Sequence, residues 1–405
     1  MVLPQPFFLS HADRVRLARQ RYFEDGVLPT GVVSDSVFQS WARCYRASHE
    51  PRRQVEFQPV SASRSQLALQ KNRELHDAWL NELPLIGAAL GTTNCSAILT
   101  DATGVLIGTT PASRSELQVM PVAHRVGVNL SEALVGTTAP GLVARTGKQA
   151  SVLGAEHFYD SVSAMHCTAA PIRNMKGQLA GILDISCEGQ PFYFDPATVV
   201  GMYAAAIENR LLMAQSTRHF VVRFQLMPAL VDTPMAGMLG FDESGALVWV
   251  NAVASTLLNL PADPARRGHV SGEDILEITT PRLLALADGG LCQVSLIHGP
   301  QVFLRCEAHF LKTPLVPLQP AKHVPAPGPV VAPEACVLTD GYLPASSLKD
   351  ADADLIRKCL AECHGNVSKV ARRLKVSRGL IYRRLQELSI DPSRSKNAPR
   401  KVSKF

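Results

Sequence analysis

Residues 365–388 read GNVSKVARRLKVSRGLIYRRLQEL and gather cationic and hydrogen-bonding side chains able to contact a polyanion. Val367, Val370, Ala371 and Leu374 recur at i, i+3, i+4 and i+7, the spacing of one apolar helix face. Asn366 suits the cap of that helix and Gly365 the end of the one before it. After the turn Lys375-Val376, Ser377 caps a further helix. At about 100° per residue, its Ile381, Leu385 and Leu388 fall on one side. Gly379, Tyr382, Arg383 and Gln386 fall on the other, with Arg378 beside them at the helix start. Arg can bond guanine at two atoms and Gln can do the same with adenine, so this face is expected at base edges in a major groove. Lys369, Arg372, Arg373 and Arg384 flank it and suit phosphates. With DADLIRKCLAECHG as a supporting helix, the segment reads as a helix-turn-helix. The plainer alternative is a solvated basic face of an ordinary bundle; caps, turn and outward charges together favour DNA.

A second set of groups could serve a pocket: Cys95, His124, Glu132, His157, His166 and Cys167. Small-molecule pockets are mostly apolar with a few placed polar groups, and each of these residues reads equally as a structural one. No His, Cys, Asp or Glu set has metal-ligand spacing, so no metal or cofactor is expected. The nine cysteines contain no CxxC pair, which speaks against zinc and against a disulfide framework. Cys359 and Cys363 share a helix face and read as apolar fillers. No Ser-His-Asp or Cys-His nucleophile context is visible. A thiol reductase using Cys95 or Cys167 would need a resolving partner, so an enzyme is the rival reading and a protein-interaction scaffold a third.

The elements that must position these groups follow from pattern. The chain has 405 residues, 46% hydrophobic and 19% charged, enough for globular cores and two to four domains. Residues 1–60 read as helical. A helical stretch at Ser61–Leu90 leads into CSAILTDATGVLIGTT, two strand-like runs around an Asp-Ala-Thr-Gly turn. CTAAPIRNMKGQLAGILDIS repeats strand, turn and strand, and a long apolar helix follows Asp195-Pro196. A smaller strand–turn–strand unit spans 225–311. Seven prolines between 314 and 333 mark 312–339 as a linker. The fold class expected is multidomain α+β with an all-α end.

Charge is uneven. From Lys349 onward, fifteen Lys and Arg stand against six Asp and Glu, so this end carries +9 of a chain whose net charge is +6. A basic end on a near-neutral body suits nucleic acid, and the tail 391–405 would add nonspecific attraction. No apolar run reaches 18 residues, which argues against a membrane span. The start MVLPQPFFLSHADRVRLARQ lacks a signal-peptide order, and a cytoplasmic location is expected.

The segment 365–388 resembles the Fis-type helix-turn-helix at the end of bacterial enhancer-binding regulators. The front half is similar to the acetoin-catabolism regulator family, on SVFQSWARC at 36–44, NLSEALVGTTAPGLVARTGKQASVLGAEHF at 129–158 and CTAAPIRNMKGQLAGILDIS at 167–186. The resemblance implies a GAF-like sensor domain at 61–215 with flanking helices. FDESGALVWVNAVA resembles a PAS domain, placed at 225–311, and the Fis-type domain is placed at 340–390. It further implies a transcriptional regulator responding to a small effector, such as a ketone, alcohol or aromatic, and a homodimer on double-stranded DNA. Full-length members carry an ATPase before the helix-turn-helix. Here neither a Gly-x4-Gly-Lys-Ser/Thr phosphate loop nor a Gly-Ala-Phe-Thr-Gly-Ala loop occurs, and the Pro-rich stretch stands in that place. Regulation would then be direct, through RNA polymerase, or alongside an ATPase-containing relative.

Overall fold

Two antiparallel sheets joined by one long helix form the front of the chain. The structure is a computed structural model and describes residues 10–111, 117–286, 290–297, 299–308, 367–373 and 385. The chain divides into two units, Met1–Pro317 and Leu318–Phe405.

The first unit opens with helices α1 (His11–Asp25), α2 (Asp35–Arg46), α3 (Ala62–Lys71) and α4 (Arg73–Leu90). Ser10, Ser34 and Ser61 cap the first three by accepting from the backbone N–H three residues on. Strands β1 (Cys95–Asp101) and β2 (Leu106–Thr109) follow, then short helices α5 (Met120–Ala123), α6 (Glu132–Val135) and α7 (Ala139–Thr146). Strands β3 (Ala150–Leu153), β4 (Met165–Arg173) and β5 (Leu179–Glu188) complete a sheet of order β2-β1-β5-β4-β3.

This sheet is covered on both faces, and strand alternation sorts its side chains. Cys95, Ala97, Leu99, Leu183, Ile185 and Cys187 meet α4 and α8 (Pro196–Gln215) through Trp79, Ile86, Ala204 and Ile207. The other face carries Ile98, Cys167, Ala169 and Ile182, packed with Val135, Leu142 and Phe158. Val37 and Trp41 of α2 belong to that second core, so the N-terminal helices share a core with the sheet. Trp41 is fully buried and donates from Nε1 to the Glu156 carbonyl at 2.7 Å.

The turns are built alike. Asp101 Oδ1 accepts from the N–H groups of Thr103 and Val105, and Gly104 takes φ 89°. Asp242 Oδ1 accepts from Ser244 and Ala246, and Gly245 takes φ 83°. Both are Asx turns closed by a residue in the left-handed region, which glycine enters without steric cost.

The second sheet runs β8-β7-β6-β10-β9, from β6 (Phe220–Gln225), β7 (Gly237–Phe241), β8 (Leu247–Val250), β9 (Cys292–Ser295) and β10 (Gln301–Ala308). Helices α9 (Ala252–Leu257), α10 (Pro264–Arg267) and α11 (Thr280–Leu284) accompany it. Helix α8 joins the two sheets: Asp195 caps it and Pro196 occupies its first turn. Its end packs Leu212 on Val221, Met238 and Trp249 of the second sheet. Glu208, buried on α8, accepts from the Arg173 N–H of the first sheet at 2.8 Å and from the Ala252 N–H at the start of α9, beside the second sheet, at 2.7 Å. Asn251 donates to Asn209 Oδ1 at 2.8 Å beside it.

In the second unit the described helix is Val367–Arg373. Val367, Val370 and Ala371 are buried there, as is Leu385, while Lys369 is exposed. The stretch 312–339 read as a linker, the stretch with Cys359 and Cys363 expected to be helical, and the tail 391–405 lie outside the described residues.

Candidate effector cavity and nucleic-acid interface

The cavity of interest lies on the face of the first sheet away from α4 and α8. Its volume is about 40 Å³. Ile98, Leu130, Val135 and Met165 give it apolar walls, and His124, His157, Cys167, Asp184 and Ser186 supply polar atoms. The C-terminal cap of α5 is His124, β4 brings Cys167, and β5 brings Asp184 and Ser186.

Most of these polar atoms are engaged with one another. His157 Nδ1 lies 3.0 Å from the Gly154 carbonyl, which can only accept, so Nδ1 carries the proton. Its Nε2 is then the acceptor for the Cys167 thiol at 3.5 Å. Ser186 Oγ lies 3.2 Å from Cys167 Sγ and donates to Asp184 Oδ2. His124 Nδ1 pairs with Ser96 Oγ at 3.3 Å. Burial holds both histidines neutral, lowered to about 4. Burial, aided by Asp184, pushes the Cys167 thiol well up, so it is a weak hydrogen-bonding thiol and a poor nucleophile. Burial also raises the Asp184 carboxyl to about 7, against the opposing Ser186 hydrogen bond. Asp184 Oδ1 is buried without a hydrogen-bond partner among the described residues.

The structure thus brings together three of the six residues named for a pocket: His124, His157 and Cys167. The other three lie elsewhere. Cys95 is on the opposite face, directly across from Cys187, whose hydrogen bond holds it below the usual thiol range. Glu132 is bound by Arg43 through two contacts of 2.6 and 2.7 Å and by Ser40 at 2.6 Å, tying α6 to α2. His166 is half-buried, its ring near Gly154. Asp184 and Ser186 were not singled out from sequence. Their signal was a carboxylate and a hydroxyl alternating with Leu183, Ile185 and Cys187 inside a strand buried along most of its length.

Of the ten residues named for DNA, Lys369 is exposed and lies on the described helix with Arg372 and Arg373. Ser377, Arg378, Gly379, Tyr382, Arg383, Arg384 and Gln386 lie outside the described residues. No group of three or more His, Cys, Asp or Glu among the described residues is placed to hold a metal ion. No described helix is long and apolar enough to cross a membrane.

A mixed α/β front with two antiparallel sheets precedes a basic C-terminal sequence, and both parts have matches among known proteins. Residues 11–207 match the family described as MimR, N-terminal domain, and residues 347–388 match the bacterial regulatory protein, Fis family. The acetoin catabolism regulatory protein of Cupriavidus necator is 28% identical over 284 residues, 68% of this chain and 42% of that protein. The propane 2-monooxygenase operon transcriptional activator MimR of Mycolicibacterium smegmatis is 27% identical, over 50% of this chain and 34% of its own. A solved complex, E. coli DhaR(N)-DhaL, aligns over 67% of this chain and 99% of that one, at 15% identity and a TM-score of 0.43. The chain spans less than half the length of these two curated relatives. It is thus similar to the acetoin and glycerol operon regulators over a sensor-like front and to the Fis family at its end, and its sequence carries no ATPase phosphate loop.

Proposed function

We propose that this chain is a sequence-specific DNA-binding transcriptional regulator that takes a small-molecule signal through its front half and has no ATPase of its own. The observation that carries this reading is the Fis-family match at 347–388, on a stretch that also buries Val367, Val370 and Ala371 while exposing Lys369. In this reading 61–215 is a GAF-like sensor, 225–311 a PAS-like domain, 312–339 a linker and 340–390 the DNA-reading end. Residues 1–60 are the helical lead-in and 391–405 a basic tail. Arg378, Gly379, Tyr382, Arg383 and Gln386 read bases; Lys369, Arg372, Arg373 and Arg384 hold phosphates, with Ser377 as the cap. The effector enters the cavity at His124, His157 and Cys167. The relatives' named operons concern acetoin, glycerol and propane, which fits a small catabolic metabolite. The protein works in the cytoplasm as a homodimer. Leu80 and Leu85 on α4 and Met202 on α8 are exposed and offer an apolar contact for a second copy. Downstream it engages RNA polymerase or an ATPase-containing relative.

Titration of full-length protein on its bound site and on random DNA tests this reading. Arg383→Ala should cost roughly 1–3 kcal/mol on the bound site only. Lys369→Ala should weaken both DNAs about equally. An unchanged preference for the bound site in Arg383→Ala would remove that helix from base reading.

A further inference from the structure

The cavity on the first sheet holds an unusual polar inventory. His157 and Cys167 satisfy each other, and Ser186 gives its proton to Asp184 Oδ2. Asp184 Oδ1 is a buried acceptor atom without a hydrogen-bond partner among the described residues, on a residue lining the cavity. Asp184 is 1% exposed, and no Arg or Lys lines the space. A buried polar atom left unpaired costs roughly 1–3 kcal/mol, more when charged. A ligand that donates one hydrogen bond there removes that cost.

We propose that the cavity recognises a small uncharged molecule through a hydroxyl group that donates to Asp184 Oδ1. This inference rests on the reading of the cavity as the effector site and narrows it to one class of ligand. Size follows from volume: 40 Å³ holds about three to four water-sized groups, which limits the ligand to a few heavy atoms. Polarity follows from the walls. Ile98, Leu130, Val135 and Met165 suit a short carbon skeleton and do not solvate an ion. Both lining histidines are neutral, so an anionic ligand meets no counter-charge beside Asp184. A ketone lacking a hydroxyl offers only an acceptor to an acceptor. The carboxyl rise to about 7 agrees with this setting: the site disfavours charge and gains from any donor that shares it.

The test uses three probes of nearly one shape: propan-2-ol, acetone and isopropylammonium. Full-length protein with methyl-labelled methionine is titrated at about pH 8, where the Asp184 carboxyl is ionised, and the Met165 resonance reports the cavity. Propan-2-ol should bind at least about tenfold more tightly than acetone, the penalty of facing acceptor with acceptor. In Asp184→Leu the two should bind within about twofold. Asp184→Asn offers an N–H in the same place and should erase the preference too, which covers the case that the leucine variant fails to fold. Equal binding of propan-2-ol and acetone to the wild type overturns the proposal but leaves the cavity as a ligand site. Tighter binding of isopropylammonium than of propan-2-ol overturns the uncharged class. No response of Met165 to any probe removes the effector site itself, and the proposal with it.

Discussion

Neutral, buried histidines make the domain around the first sheet sensitive to acid in a way that one substitution isolates. His157 is 1% exposed, and its pKa falls from 6.5 to about 4, mainly because burial disfavours the imidazolium. A depressed folded value means the unfolded chain takes up a proton first. The stability His157 contributes is therefore full above 6.5 and drains away as pH falls toward 4. Between about pH 7.5 and about pH 5 the loss is roughly 2 kcal/mol. Asp184 works in the opposite sense. Its raised value gives stability that is present below 3.8 and lost as pH rises through about 7. The wild-type profile mixes the two, so the variant difference is the useful quantity. His157→Asn can keep the hydrogen bond to the Gly154 carbonyl while removing the titration. Urea unfolding followed by tryptophan fluorescence, with Trp41 and Trp79 buried in the same domain, reports the stability of each protein. The variant should be less stable at about pH 7.5 by roughly 1–3 kcal/mol. That gap should shrink by roughly 2 kcal/mol at about pH 5. A gap that stays constant with pH would mean that His157 is not held neutral by its surroundings.

Two further substitutions probe how the pieces are joined. Trp41→Ala should cost roughly 3–5 kcal/mol in the same urea assay, because it empties a fully buried site and orphans the Glu156 carbonyl; a cost under about 1 kcal/mol would detach α2 from the core. Glu208→Ala should leave the Arg173 and Ala252 N–H groups unpaired, costing roughly 2–5 kcal/mol, and should separate the Trp249 transition from that of Trp41 and Trp79; coincident transitions at unchanged midpoint would count against Glu208 as the joint.

The elements were legible where local chemistry sets them. Asp-Ala-Thr-Gly at 101–104 and Asp-Glu-Ser-Gly at 242–245 announced their turns, and Asp195-Pro196 announced the start of α8. The long-range partnerships were less legible. Trp41 meets a carbonyl 115 residues away, and nothing in its own helix says so. Glu132 reads from sequence as a candidate pocket group, yet its partner Arg43 lies 89 positions upstream. Cys95 and Cys167 looked equivalent by type, and strand alternation places them on opposite faces once the sheet order is known. Asp184 gives no separate signal in the sequence because GILDIS reads first as a buried strand. Its meaning depends on which face of that strand carries a cavity.

The central claim is that this chain selects a DNA sequence. Its most direct test is the affinity of full-length protein for a fragment recovered from its own genome, against the same bases shuffled, at low and moderate salt. Both affinities should fall as salt rises, with a log–log slope near −0.9 for each phosphate neutralised. The recovered fragment should bind roughly 10³-fold more tightly than the shuffled one, or better, under physiological salt. Equal affinity for the two at every salt concentration would contradict the account and reduce the basic end to a nonspecific polyanion contact.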